Sequence, residues 1–178
     1  TVNYEFTPTA GDVDGYAYGG RVQYWASDNL RFGLTGMVEQ TDTADQTAFG
    51  ADIRYELTDT TFVELEYAET DGPGFGSSFS SDGGLIVTND NAIAGSGSAI
   101  RFAGQAEFAD LGWSTSGRVS VYGEDRQAGF STLDYNTSTD ETLWGFAVEV
   151  EPTEQLTYRV YYDDFKNDDG KTDREGGV

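Results

Sequence analysis

The stretch from Phe49 to Tyr67, FGADIRYELTDTTFVELEY, decides how the chain folds. Phe49, Ala51, Ile53, Tyr55 and Leu57 alternate with Gly50, Asp52, Arg54 and Glu56; beyond Thr58-Asp59-Thr60, Val63, Leu65 and Tyr67 alternate with Glu64, Glu66 and Ala68. A helix would spread such a pattern around all its sides, whereas a strand sends successive side chains to opposite faces. The stretch therefore reads as two strands, each with one apolar and one charged face, joined by a tight polar turn.

The same two-residue period recurs about nine times along the chain. Val2, Tyr4 and Phe6 form the first, short instance. Tyr16, Tyr18, Gly20, Val22 and Tyr24 form the second, and after Ser27-Asp28-Asn29 the third has Phe32, Leu34, Gly36 and Val38 on its apolar face. Past the hairpin at 49–68, a sixth segment carries Ile100, Phe102, Gly104, Ala106 and Phe108, and a seventh Gly117, Val119 and Val121. Trp144, Phe146, Val148 and Val150 mark the eighth; Leu156, Tyr158, Val160 and Tyr162 mark the ninth. Connections are expected to be short after the second, fourth, sixth and eighth segments and longer after the first, third, fifth and seventh. The longest, 70–97 and 125–142, are rich in Gly, Ser, Thr, Asn and Asp. That is an up-and-down meander in one domain, 1–178, with tight turns at one end and long polar loops at the other.

Composition narrows the function. Ten Lys and Arg against 32 Asp and Glu give a formal charge of −22, which excludes a basic nucleic-acid footprint. With no Cys and no His, thiolate and ordinary zinc sites and Cys or His nucleophile systems are gone. No stretch approaches the roughly 20 apolar residues of a membrane helix. The start, Thr1-Val2-Asn3-Tyr4, lacks a basic region followed by an apolar run, so a removed signal peptide or an internal piece is expected.

Alternation alone does not say which face is covered. In a soluble sandwich the apolar face points into a core; in a membrane barrel it points to lipid and the polar face lines the interior. Three features favour the barrel. Tyr16, Tyr18, Tyr24, Tyr55, Tyr67, Trp144, Tyr158 and Tyr162 lie on the apolar face near segment ends, as a lipid-facing aromatic girdle would. The segments reach the roughly 9–11 residues that cross a bilayer at a tilt. Finally, Arg21, Arg31, Arg54, Arg101, Arg118 and Arg159 all fall on the face opposite the apolar one, an arrangement chance would give about one time in 64 on two-faced strands. An arginine on the lipid face would cost about 2–4 kcal/mol at the midplane, so a barrel must aim each inward. Asp52, Glu56, Glu64, Glu66, Glu107 and Glu149 share the arginine face as expected lumen-lining partners. The rival is a solvated charged face on a secreted, soluble acidic β-sandwich or β-barrel that binds carbohydrate or Ca²⁺.

With its tight turns and alternating strands the chain resembles the transmembrane β-barrels of Gram-negative outer membranes. More narrowly, FVELEYAETDGPGFGSSFSSDGG at 62–84, AGFSTLDYN at 128–136 and YYDDFKNDDGKTDREGG at 161–177 are similar to the porin-like barrel regions of very large repeat-containing outer-membrane proteins. The resemblance implies a bacterial outer-membrane location, contact with lipid, and surface display or passage of small polar solutes. It carries no catalytic residues. Two departures stand out: nine strands is an odd number, where single-chain bacterial barrels have even ones, and the end, Arg174-Glu175-Gly176-Gly177-Val178, is polar. Both point to a strand miscounted or to a larger barrel, completed by strands of the same polypeptide or a neighbouring chain.

Other candidates are weaker. Asp163, Asp164, Asp168, Asp169 and Asp173 near Gly170 supply hard oxygen ligands, but Phe165 stands where a D-x-D-x-D-G loop would begin, so an acidic rim is favoured over a Ca²⁺ site and no cofactor is expected. Asp71 to Gly76 reads as a turn, without the lysine of a phosphate loop. Glu64 and Glu66 share a strand face, one requirement of glycosidase chemistry, yet adjacent carboxylates are ordinary on a charged wall and no enzyme is expected. Phe75, Phe79, Phe130 and Tyr135 are candidates to fold the loops over the mouth.

Overall fold

The computed structural model describes residues 4–6, 16–41, 44–72, 77–80, 88–90, 95–132 and 135–178. All regular structure among them is β: β1 (Tyr4–Phe6), β2 (Tyr16–Ser27), β3 (Leu30–Thr41), β4 (Ala44–Thr58), β5 (Thr61–Gly72), β6 (Ser77–Ser80), β7 (Thr88–Asp90), β8 (Gly95–Glu107), β9 (Ser116–Arg126), β10 (Ser131–Thr132), β11 (Tyr135–Asn136), β12 (Glu141–Thr153), β13 (Leu156–Asn167) and β14 (Thr172–Gly177). Nine of them form one antiparallel sheet in the order β14-β13-β12-β9-β8-β5-β4-β3-β2, an up-and-down meander. The sheet is not closed: β2 and β14 are its edges, and eight antiparallel steps leave them running in the same direction.

The count of nine agrees with the periodicity, but its membership does not. β1, which contains Tyr4 and Phe6 of the first expected strand, pairs with β6 in a separate three-stranded sheet with β7. Its place is taken by β14, in the polar tail. Thr172–Gly177 has no apolar alternation; it is held by backbone pairing from Tyr161↔Gly177 to Lys166↔Thr172 and by Arg174 on Asp164. A second correction concerns the expected longer connection after the third segment. β3 and β4 stay paired out to Thr41↔Ala44, so only two residues, 42–43, join them. The polar residues at 39–48 extend the hairpin because ladder hydrogen bonds do not require apolar side chains.

Side-chain chemistry explains the turns. In the turn between β4 and β5, the Thr61 N–H donates to Thr58 Oγ1 at 3.0 Å, a local bond that closes the corner. Asn29, in the turn between β2 and β3, donates through Nδ2 to the Glu56 carbonyl at 2.6 Å and accepts the Glu56 N–H at 2.9 Å, tying that turn to β4. Register shifts fall just before three of the turns, at Trp25/Ser27, Glu56/Thr58 and Val150/Thr153. Pro152 sits inside the last of these, where a missing N–H does least damage to the ladder.

Rows of directly opposite residues cross the sheet obliquely to its ends. Tyr24, Phe32, Ile53, Leu65, Phe102, Gly123 and Trp144 form one row from β2 to β12. Tyr24 is three residues from the end of β2 at Ser27, whereas Trp144 is nine from the end of β12 at Thr153. The turn rim therefore recedes by about one residue per strand. At ~3.3 Å per residue and ~4.8 Å per strand, the line through the turns is inclined about 35° to the hydrogen-bonding direction. Closed barrels need this kind of stagger, with strands tilted by roughly 35–45°.

Candidate functional site

The two faces of the sheet are covered in the inverse of the usual order. Register carries the apolar residues across neighbouring strands without a break: Val22↔Leu34↔Ala51↔Tyr67↔Ile100 and Val121↔Phe146↔Tyr162 are two such runs. These side chains are exposed. Val22 is 70 % accessible, Leu34 55 % and Val63 48 %, while the buried hydrophobic residues among those described are Ala99, Phe108 and Phe130 alone. Of the aromatic set, Tyr16, Tyr18, Tyr24, Tyr55, Tyr67, Trp144 and Tyr158 are exposed on this face. Tyr162 is half-buried against Trp144 and Phe146, at ring separations of 5.3 and 6.3 Å. Aliphatic residues lie between the aromatic ones: Val22 between Tyr18 and Tyr24, Ile53 between Phe49 and Tyr55, Val160 between Tyr158 and Tyr162.

The opposite face is charged and partly buried. Asp52, with a side chain only 3 % accessible, receives Arg21 Nη2 at 2.5 Å and lies 3.5 Å from Arg31 Nη2. Arg31 also reaches Glu64 at 3.3 Å, and Arg54 bridges Glu64 at 3.1 Å and Glu56 at 2.9 Å while stacking on the Phe62 ring. The result is a continuous chain, Arg21–Asp52–Arg31–Glu64–Arg54–Glu56, over β2 to β5. Room for it comes from Gly33, directly opposite Asp52, where a Cβ would collide with the Asp52 carboxylate. Farther along, Arg101 meets Glu66 at 3.7 Å and Arg118 meets Glu149 at 3.6 Å. Two expected members stand apart: Glu107 and Arg159 lie on this face by register but join no ion pair among the described residues.

Sequence reasoning missed part of the network. On the charged face Arg126 pairs with Glu124 at 2.7 Å and Glu141 at 3.9 Å; on the apolar face, toward its loop end, Arg174 donates at 2.7 Å to Asp164, which stands opposite Trp144. Arg126 has the same odd–even phase as Arg118, so extending the period past Glu124 would have found it; nothing in the polar tail signals Arg174. Of the acidic set near Gly170, Asp163 and Asp164 are engaged within the fold. Asp163 accepts from the Tyr122 hydroxyl, and Asp164 takes Arg174, Tyr162 and Lys166. Among the described residues no group of three or more carboxylates is arranged to hold a metal. Glu64 and Glu66 are held by arginines, on separate sets of partners.

A loop leaves the rim and covers part of the charged face. The segment joining β9 to β12 turns inward so that Phe130 and Ser131 are buried, and the Ser131 N–H donates to Thr70 Oγ1 at 3.0 Å. Gln127 N–H donates to the Ser98 carbonyl at 2.8 Å, and Ala128 N–H to Asp140 at 2.7 Å. Gly97 makes this approach possible, since a Cβ there would strike the Phe130 backbone. Phe130 stands between two hollows. One, of about 460 Å³, is lined by Arg21, Thr35, Asp52 and Glu66; the other, of about 250 Å³, by Arg101, Glu124 and Arg126. Phe130 thus folds over the face as one of the expected loop aromatics; Phe75 and the side chains of Phe79 and Tyr135 lie outside the described residues, as does Val2.

No protein-family model, curated protein or solved structure matches the chain.

Proposed function

We propose that the chain forms the wall of a transmembrane β-barrel in a bacterial outer membrane, with the apolar face toward lipid and the Arg/Glu face toward a polar interior that passes small polar solutes. One observation carries this: large apolar side chains are exposed on one face from β2 to β13, while the ion-paired face is the partly buried one. In water such a continuous apolar surface would drive aggregation; in a bilayer it is the required exterior. The soluble binding module would bury those residues in a core, and the described residues form no such core. The roughly 35° stagger gives further support. Because β2 and β14 run in the same direction, antiparallel closure takes an odd number of further strands, from the same polypeptide or a neighbouring chain. Space beside Phe130 favours passage of solutes. Anchoring of the loop-bearing end is the second reading, favoured by the unbroken ion-pair chain from Arg21 to Glu56, which would fill a barrel of few strands.

The test is expression behind a signal peptide, fractionation of the envelope and heat-modifiable gel mobility. Recovery in the outer membrane with a mobility shift supports the barrel, and conductance in planar bilayers then separates passage from anchoring. Monomeric protein recovered without detergent would overturn it.

A further inference from the structure

Near the turn rim, Arg118 on β9, Glu149 on β12 and Arg159 on β13 stand directly opposite one another in a single row on the charged face. Neighbours in such a row are about 5 Å apart at Cβ, so one carboxylate lies between two guanidiniums. It engages only the first: Arg118 Nη2 is 3.6 Å from Glu149 Oε1, a loose pair, whereas the Arg159 guanidinium has no carboxylate among the described residues and lies 5.9 Å from the Tyr161 ring. Every other arginine of the face is neutralised by at least one carboxylate. In the adjacent row, Gln105, Ser120 and Ala147 are opposite one another. Ser120 and Ala147 carry short side chains, and a hollow of about 300 Å³ opens there, lined by those three residues with Arg118, Glu149 and Arg159. The Ser120 hydroxyl makes no hydrogen bond among the described residues.

We infer that this hollow is a seat for a small oxyanion, a carboxylate or phosphate held by Arg159 and Arg118 with the Ser120 hydroxyl as a third donor. A planar guanidinium presents paired N–H donors that match an oxyanion edge to edge, and such charge-assisted bonds are about twice as strong as neutral ones. Glu107 stands opposite Arg118 on β8, so the row holds two carboxylates and two guanidiniums, but neither carboxylate reaches Arg159, whose donors stay open within a chain of net charge −22. The hollow, about 300 Å³ and set among charged and polar side chains, has room for a small soluble oxyanion. The inference does not depend on what covers the apolar face.

Titration of the folded chain with inorganic phosphate, by calorimetry, tests it. The wild type is expected to bind saturably, with acetate competing. Arg159→Gln breaks no ion pair and is expected to weaken binding by on the order of tenfold, the worth of one charge-assisted contact. Glu149→Gln, which removes the competing carboxylate, is expected to tighten it. Lys171→Gln, in the hairpin at the other end of β13, serves as the control and should change nothing. Unaltered far-UV circular dichroism of Arg159→Gln separates lost binding from lost fold. Absence of saturable phosphate binding, or equal affinity in wild type and Arg159→Gln, overturns the assignment.

Discussion

Gly33 and Asp52 face each other across β3 and β4, and the side chain that Gly33 lacks is the space in which the Asp52 carboxylate sits. Asp52 in turn gathers Arg21 and Arg31. One hydrogen atom in place of a methyl group thus makes room for the most buried carboxylate of the charged face. Gly33→Ala is expected to push the carboxylate off both arginines and destabilise the fold by about 1–3 kcal/mol, the usual cost of overpacking a filled site. A lower urea midpoint with an unchanged m-value is the result to look for; an unchanged midpoint would mean that Asp52 moves aside freely.

Leu34 is more than half exposed at mid-strand on the apolar face. In a water-soluble protein, an exposed Leu34→Arg would change stability by no more than about 0.5 kcal/mol. Facing lipid near the midplane, it should cost about 2–4 kcal/mol. Refolding equilibria in lipid vesicles distinguish the two, with Gln23→Arg on the opposite face as the variant expected to be tolerated.

Removal of the Phe130 ring should free the inserted loop without opening the sheet. Among the described residues of the segment, Phe130 is the buried large apolar side chain; Phe130→Ala, at about 3–5 kcal/mol for a buried phenylalanine, exceeds what the bonds to Thr70 and Ser98 replace. Protease cleavage within 127–140 is expected to rise sharply while the strands stay resistant. If the loop narrows a solute path, single-channel conductance should rise in the same variant.

Asp110, in the turn between β8 and β9, accepts from the hydroxyls of Thr61 and Thr58, which hold its carboxyl below the ordinary carboxylate value. The folded form therefore binds a proton less readily than the unfolded one, and the contribution of these bonds is complete above the ordinary carboxylate range and lost as pH falls through the depressed value. Asp110→Ala should loosen the turn at neutral pH and match the wild type at strongly acidic pH. Hydrogen exchange at Leu111, Gly112 and Trp113 reads the difference; equal exchange at neutral pH would remove the turn-bracing role.

What the sequence disclosed, and what it hid, follows from which interactions leave a periodic trace. Where a strand separates apolar from charged residues, as from Phe49 to Tyr67, the alternation gives strand, face and neighbour together, and the six arginines fall on one face by phase alone. β14 left no trace, because Thr172–Gly177 is polar on both faces and is held by backbone pairing and by Arg174. The hairpin at Thr41 and Ala44 was hidden for the same reason. Partner choice within the charged face was also illegible: Glu149 lies opposite both Arg118 and Arg159, and phase does not say which one it takes. The inward fold of Phe130 depends on Gly97, more than thirty residues earlier in the chain.

The strict alternation of faces along β2 to β13 also constrains how such a chain can change over generations. Inserting or deleting one residue inside β4, for example at Gly50, would exchange inside and outside for every residue on one side of the change, turning Asp52 and Arg54 outward and Ile53 and Tyr55 inward. Losing or gaining two would preserve both faces and merely slide the register. The sheet therefore imposes a reading frame of two on its own length variation, and tolerated single-residue gaps should be confined to its turns and loops.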